Sequence, residues 1–176
     1  MSIQIRVLEP GDDRGRFSSG NPDLDRFFHR FAGQNQFRHH IGVTYVAMDG
    51  GDILGFLTVA ASEIAIDALP AEHRRRLPRY PLPMLRVARL AVSVSARGRG
   101  VGVGRALLRH ALRLARRTAK EIGCVGLVVD AKPEALGFYL RYGFEALSVV
   151  EGTLLDRPEP TPMFLPLSAI PPAADR

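Results

Sequence analysis

The chain has 176 residues, enough for one domain with a substantial buried core. Its 46% hydrophobic and 24% charged residues exclude a disordered polymer, and no apolar run approaches the length of a bilayer span. The net charge of +6 favours anionic partners (a phosphorylated cofactor, RNA or an acidic protein), though a solvated basic face accounts for it equally well.

A single cysteine, Cys124, excludes an internal disulfide and fits a reducing compartment. Its apolar surroundings favour a small buried side chain over a nucleophile. The opening residues, Met1 to Arg6, lack the basic-then-apolar layout of a secretory signal. The expected location is cytoplasmic, with no membrane association.

In chain order, Ile3, Ile5 and Val7 alternate with period two and predict a half-buried strand. Asn21 then caps a helix that opens on Pro22. Leu24, Phe27, Phe28 and Phe31 recur at i, i+3, i+4 and i+7, one apolar helical face. Gly42 to Met48 and Ile53 to Ile66 read as strands joined through Asp49-Gly50-Gly51, which is hairpin chemistry. Residues 67–83 form a basic, proline-rich connector carrying Arg74, Arg75, Arg76 and Arg79, and Leu85 to Val94 is a further strand.

After the glycines at 98–104 comes a long helix burying Leu107, Leu108, Ala111, Leu114 and Ala115. Cys124 to Val129 is a near-continuous apolar strand suited to a sheet centre. Ala135, Phe138, Tyr139 and Tyr142 lie at helical spacing before Gly143, and Phe144 to Val150 is another strand. From Asp156 on, six of the 13 prolines crowd into a polar tail, with Met163 to Leu167 as an edge strand. The order β-α-β-β-β-α-β-α-β predicts a mixed α/β sheet in a single domain over residues 1–167, followed by a disordered tail at 168–176.

The segment Arg97-Gly98-Arg99-Gly100-Val101-Gly102-Val103-Gly104 joins a strand to an amphipathic helix. Glycines let backbone approach a ligand, a helix start offers unpaired N–H groups, and arginines add positive charge: together they suit a phosphate. The P-loop pattern fails because no Lys-Ser or Lys-Thr comes after these glycines. The dinucleotide fingerprint fails because Val103 and Arg105 stand three residues beyond Gly100 and Gly102. A plain glycine-rich loop is the competing reading.

This turn resembles the pyrophosphate turn of the GNAT superfamily of N-acetyltransferases, Arg or Gln followed by x-x-Gly-x-Gly or Ala. It matches in two registers, from Arg97 with Gly100 and Gly102 or from Arg99 with Gly102 and Gly104. A second likeness is Ala135-Leu136-Gly137-Phe138-Tyr139-Leu140-Arg141-Tyr142-Gly143-Phe144, which fits the closing A-x-x-F-Y-x-x-x-G-F of these enzymes at every fixed position. Lys132 stands where an Asn commonly precedes that motif.

The resemblance implies a GNAT-like fold, a central mixed sheet of about six or seven strands flanked by helices. It also implies acetyl-CoA as co-substrate, with no metal. Arg97 to Gly104 would hold its pyrophosphate, the backbone of Leu90, Ala91 and Val92 would pair with the pantetheine arm, and Phe138 would line the site. Tyr139 would protonate the departing thiolate, its alternative being a plain core residue. No general base is assigned: Glu63, Asp130 and the His39-His40 pair are candidates, each equally readable as a solvated or capping residue.

Phe17-Ser18-Ser19-Gly20-Asn21-Pro22-Asp23-Leu24-Asp25-Arg26-Phe27-Phe28 is similar to the opening of GNAT toxins from bacterial toxin–antitoxin pairs, and Arg89-Leu90-Ala91-Val92 to their central strand. Ser19 replaces the usual Cys of that opening, and Ser93 the usual acidic residue after the strand. The toxin likeness implies transfer of acetyl to the α-amine of aminoacyl-tRNA, blocking translation, and neutralisation by a small ribbon-helix-helix antitoxin; a homodimer is a candidate assembly. The alternatives are acetylation of a small-molecule or protein amine and, third, a non-catalytic CoA- or RNA-binding module. Arg74 to Arg76 and Arg105, Arg109, Arg113, Arg116 and Arg117 suit RNA phosphates or a solvated face. No basic surface interleaved with aromatics stands out in the sequence.

Overall fold

The computed structural model describes residues 2–147 and 160–171. Seven strands form one mixed sheet: β1 (Gln4–Val7), β2 (Val43–Asp49), β3 (Asp52–Ile64), β4 (Leu82–Val92), β5 (Gly126–Ala131), β6 (Glu145–Ala146) and β7 (Thr161–Pro166), in the order β1-β2-β3-β4-β5-β7-β6. The helices are α1 (Pro22–Arg26), α2 (Ala32–Phe37), α3 (Ala71–Arg74), α4 (Val94–Arg97), α5 (Val103–Glu121) and α6 (Leu136–Arg141). Packing divides the chain into two compact units, Met1–Ala60 with Val87–Leu112, and Ala61–Arg86 with Arg113–Arg176.

The first unit begins with antiparallel β1 and β2, then the β2–β3 hairpin with Asp49 opposite Asp52 across Gly50-Gly51. Gly50 has φ 61°, the left-handed conformation such a tight turn demands. The predicted alternation in β1 is corrected at its end: Val7 is 43% exposed, and Leu8 is the residue that enters the core. Asn21 caps α1 as expected, its side-chain oxygen accepting from the N–H groups of Asp23 and Leu24.

Between α1 and α2, Phe27–Phe31 is a π-turn, in which the Ala32 N–H reaches back to the Phe27 carbonyl. The extra residue in that turn rotates the positions after it. Phe27 and Phe28 stay buried, whereas Phe31, predicted on the same face, is 45% exposed and Ala32 takes its place inside. Phe28 stacks on Phe56 with ring centroids 4.4 Å apart, and Phe17 meets both rings edge-on. These rings, with Leu8, Val46 and Ala91, form the unit's core.

A buried polar group ties α2 to the strands. Gln36 Nε2 donates to the Leu8 carbonyl at 3.2 Å, and its Oε1 accepts from the Thr44 N–H at 2.8 Å. Opposite Thr44 on β3, Thr58 shares a 2.7 Å hydroxyl bond with it.

In the second unit, Ile64, Leu69, Leu82, Met84, Val128, Leu147 and Phe164 make one core cluster. The 67–83 connector is therefore anchored: Leu69 is buried, α3 interrupts the connector, and β4 begins at Leu82 rather than Leu85. At the far end β4 stops at Val92, two residues before the predicted limit, and gives way to α4, a helix too short to show in the hydrophobic pattern. The strand predicted over Cys124 to Val129 is shifted by two residues to β5, and just before it the Val125 N–H donates to the Pro83 carbonyl of β4.

The Met163 to Leu167 segment is not an edge strand. As β7 it pairs antiparallel with both β5 and β6, and Met163, Phe164 and Leu165 are buried. Of the predicted strand over Phe144 to Val150, β6 covers Glu145–Ala146, and residues 148–150 lie outside the described residues. Of the segment expected to be a tail, 168–176, Ser168 and Ala169 belong to a 3-10 turn that starts at Leu167 and Ile170 is 3% exposed, while 172–176 lie outside the described residues. Cys124 is buried and unpaired. Among the described residues no helix is long and apolar enough to cross a membrane.

Candidate functional site

In the first unit, β4 delivers the chain into the glycine-rich turn through the short α4. Ser93 caps α4, its Oγ accepting from the Ala96 N–H at 3.2 Å, and its own N–H bonds the Leu54 carbonyl of β3 at 2.8 Å. Along the end of β4, Ala91 is buried while Leu90 and Val92 are half-buried. Arg97 closes α4, and Gly98 caps it.

Gly100 and Gly102 have φ of 65° and 72°, conformations that L side chains rarely adopt. A Cβ placed at Gly98, Gly100 or Gly102 would meet no atom within 4 Å, so this backbone faces open space. The Gly102 carbonyl accepts from the Ala106 N–H at 2.9 Å, which makes Gly102 the residue before the first turn of α5. Val103, Gly104 and Arg105 then begin the helix, with N–H groups that have no carbonyl partner within it. The left-handed glycines are thus those of the register starting at Arg97, and Gly104 lies inside α5. Such a turn, with an open face and free N–H groups beneath a helix dipole, is built to receive an anion.

The helix is seated by a glycine that lies outside every motif in the sequence. A Cβ on Gly55 of β3 would lie 2.8 Å from both the Ala91 carbonyl oxygen and Val103 Cγ1. Only a residue without a side chain lets β3 pass so close to the start of α5.

The Phe17 to Phe28 motif forms a second constellation in this unit. Ser19 is fully buried, and Asp25 Oδ1 accepts from its hydroxyl at 2.6 Å and its N–H at 2.8 Å, while Ser18 Oγ donates to Oδ2 at 3.3 Å. Burial works to raise the Asp25 pKa, but the hydrogen bonds from Ser19 and Ser18 outweigh it and hold the carboxyl below its ordinary value. Arg97 Nη2 donates to the Ser19 carbonyl at 2.7 Å, and the Val94 N–H to the Ser18 carbonyl at 2.9 Å. Arg97 therefore braces the loop against the turn while staying exposed, as is Arg99 within the turn itself.

In the second unit, Tyr139 sits on α6 with 5% of its surface exposed, its ring edge-on to Phe138 at 5.2 Å and Phe144 at 5.3 Å. Its carbonyl accepts from the Tyr142 and Phe144 N–H groups, and Gly143, at φ 90°, reverses the chain. Burial pushes the phenol up to about 12, so it keeps its proton throughout the neutral range. Phe138 is half-buried between Tyr139 and Tyr142.

The base candidates have mundane surroundings. Asp130 is exposed and ion-paired with Arg86 at 2.9 Å, Glu63 is exposed, and His39 meets the Gln34 amide at 3.1 Å. Of the α5 arginines, Arg105, Arg109, Arg113 and Arg117 are exposed, whereas Arg116 turns inward to donate to the Ile170 carbonyl. Glu72, His73 and Glu145 gather their ligand-capable atoms within 4.8 Å, with His73 and Glu145 paired at 3.1 Å on the surface.

Comparison with known proteins bears on this geometry. The profile of the acetyltransferase (GNAT) domain matches residues 40–146. A curated relative, the tRNA-acetylating toxin of Mycobacterium tuberculosis, is 33% identical over 141 residues, 80% of this chain and 82% of the relative. The solved structure of AtaT complexed with acetyl-methionyl-tRNAfMet superposes with a TM-score of 0.83 at 26% identity, covering 96% of this chain and 97% of that one. AtaTR bound with AcCoA matches at 26% identity and a TM-score of 0.77, covering 96% and 95%. A structure of AtaT bound to the C-terminus of the antitoxin AtaR, at 23% identity and a TM-score of 0.75 over 97% and 95%, agrees in fold. With its seven-stranded sheet, its open glycine turn at the head of α5 and its match to the domain profile over residues 40–146, the chain belongs to the GNAT acetyltransferase family and is an N-acetyltransferase.

Proposed function

We propose that this enzyme transfers the acetyl group of acetyl-CoA to the α-amine of aminoacyl-tRNA, through a single domain spanning residues 1–167. The observation that carries the acceptor is the 33% identity, over four-fifths of the chain, to a tRNA-acetylating toxin. AtaT, similar over 96% of this chain, supports it.

The residues fit the co-substrate. The open glycine backbone at Gly98, Gly100 and Gly102, with the N–H groups of Val103, Gly104 and Arg105, accommodates a pyrophosphate with no side chain in the way. Arg99 and Val101 flank that cradle, and Arg97 acts by bracing it. Leu90, Ala91 and Val92 offer strand backbone to the pantetheine arm. When bound, acetyl-CoA supplies the activated acetyl thioester.

Tyr139 holds the proton that the chemistry needs. As the amine nitrogen bonds to the acetyl carbon and the C–S bond breaks, the phenol donates its proton to the departing sulfur. The nitrogen releases its own proton to solvent, from which the phenolate is reprotonated, and the products are an amide and the free thiol. Phe138 packs against that phenol and excludes water. An α-amine has a pKa near 8 and is partly neutral at pH 7, so no side chain has to act as base.

A cytoplasmic enzyme of this kind needs restraint. We place a small antitoxin of the ribbon-helix-helix class as its partner, and a homodimer as its assembly. Incubation with acetyl-CoA and charged tRNA, followed by mass spectrometry of the aminoacyl end, tests the reading: a 42 Da gain on the aminoacyl group, roughly the mass of an acetyl replacing hydrogen, is the expected product. Acetylation of small or protein amines with charged tRNA left untouched overturns it.

A further inference from the structure

The structure brings together a basic and aromatic recess that the linear sequence conceals. Pro10, Arg14, Gly33, Gln34, Phe37 and Arg38 line an open hollow of about 330 Å³ in the first unit, at the small end of the range for ligand pockets. No carboxylate lines it. Phe37 is 39% exposed, an aromatic face left in solvent beside two guanidinium groups.

Arg14 is held in place rather than trailing in solvent. Its Nη1 donates to the Phe28 carbonyl at 3.1 Å, and a Cβ on Gly33 would come within 3.0 to 3.3 Å of the guanidinium atoms. Gly33 thus lets a fixed cation lie against the α2 backbone, with most of its donors still to use. Beyond the end of α2 the same character continues: Arg38, His39 and His40 are exposed, Ile41 is 61% exposed, and His40 holds a left-handed φ of 53°. A left-handed backbone at a non-glycine residue costs free energy and tends to persist where function requires it.

We propose that this recess is a docking site for single-stranded RNA, in which one base stacks on Phe37 while Arg14 and Arg38 bind the flanking phosphates. An exposed ring and two cations lining one recess, with no carboxylate among the lining residues, is what a base and its phosphates require; an apolar protein partner would not need the fixed guanidinium. The proposal rests on the aminoacyl-tRNA reading and adds to it: the unpaired end of the tRNA is the strand that would occupy the recess.

The test uses the full chain and uncharged tRNA, with affinity measured by fluorescence anisotropy across a salt series. Phe37→Ala should weaken binding about 10-fold, and Phe37→Tyr should restore it, because stacking needs only a π-face. Arg38→Ala should weaken binding and lower the salt slope by about one phosphate contact. Both positions are exposed, so the melting temperature should hold, as should acetyl transfer to a small amino-acid amide.

Unchanged tRNA affinity and salt slope in Phe37→Ala and Arg38→Ala would overturn the recess alone, provided the parent enzyme still acetylates charged tRNA. A change of oligomeric state in Phe37→Ala with tRNA affinity intact would mark a protein interface and overturn it too. A parent enzyme that acetylates the amide but neither binds nor acetylates tRNA would sink both readings.

Discussion

At the scale of single residues, Tyr139 joins the chemistry to a measurable pH effect. A phenol positioned as general acid contributes roughly 100-fold or more, so Tyr139→Phe should lower kcat by about that factor with acetyl-CoA affinity intact, as steady-state kinetics and calorimetry can check. Its folded pKa is raised, from 10 to about 12, by burial. The stability this represents is therefore fully present below pH 10 and is lost as pH rises towards 12. The shift is worth about 3 kcal/mol. Denaturant titrations at pH 9 and pH 12 should show the parent losing an amount of that order more than Tyr139→Phe, which has no proton to lose.

Elements are held together by groups whose importance is invisible one residue at a time. Gln36 satisfies the Thr44 N–H and the Leu8 carbonyl in the interior, so Gln36→Ala orphans both and should cost about 2 kcal/mol in urea unfolding. Gly126 is the tightest position among the described glycines: a Cβ there would stand 2.2 Å from the Leu165 carbonyl oxygen of β7. Gly126→Ala must push β5 and β7 apart, and a loss of about 3 kcal/mol is expected, read as a fall in melting temperature. The π-turn at Phe27–Phe31 is an element-scale device as well. By adding a residue to one turn it moves Phe31 out and lets Ala32 pack inside.

For the whole molecule, the prediction concerns what the enzyme does to a cell. If charged tRNA is its acceptor, induced expression in a bacterial host should arrest growth, and Tyr139→Phe should relieve the arrest at equal protein level. Harmless expression of active parent enzyme would count against the toxin reading while leaving the acetyltransferase chemistry standing. The basic surplus fits such an acceptor, but its arginines do not act alike. Arg97 and Arg116 are committed to carbonyls of the chain itself, and Arg86 to Asp130. Arg99, Arg105, Arg109 and Arg113, all exposed, are available to phosphates.

By itself the sequence determined the chemistry-bearing segments and the class of fold. The glycine turn between a strand and an amphipathic helix, the Phe138-Tyr139 helix stopped by Gly143, and the Asn21-Pro22 cap are all local patterns, fixed by backbone conformation and side-chain periodicity over a few residues. The family likeness rode on the same patterns, and the mixed seven-stranded sheet agrees with their order. What only the tertiary structure decided involves partners far apart in the chain. The letters fit the glycine turn in two registers, and only the fold shows a helix starting at Val103 with Gly100 and Gly102 in the left-handed region. That Arg97 also bonds the carbonyl of Ser19, 78 positions away, is visible only in the fold. The last strand read as an edge because nothing local tells a polar, proline-flanked segment that two other strands will enclose it. Likewise, Arg14, Gly33 and Phe37 are ordinary letters in a row, and become a recess only when a loop folds back on a helix.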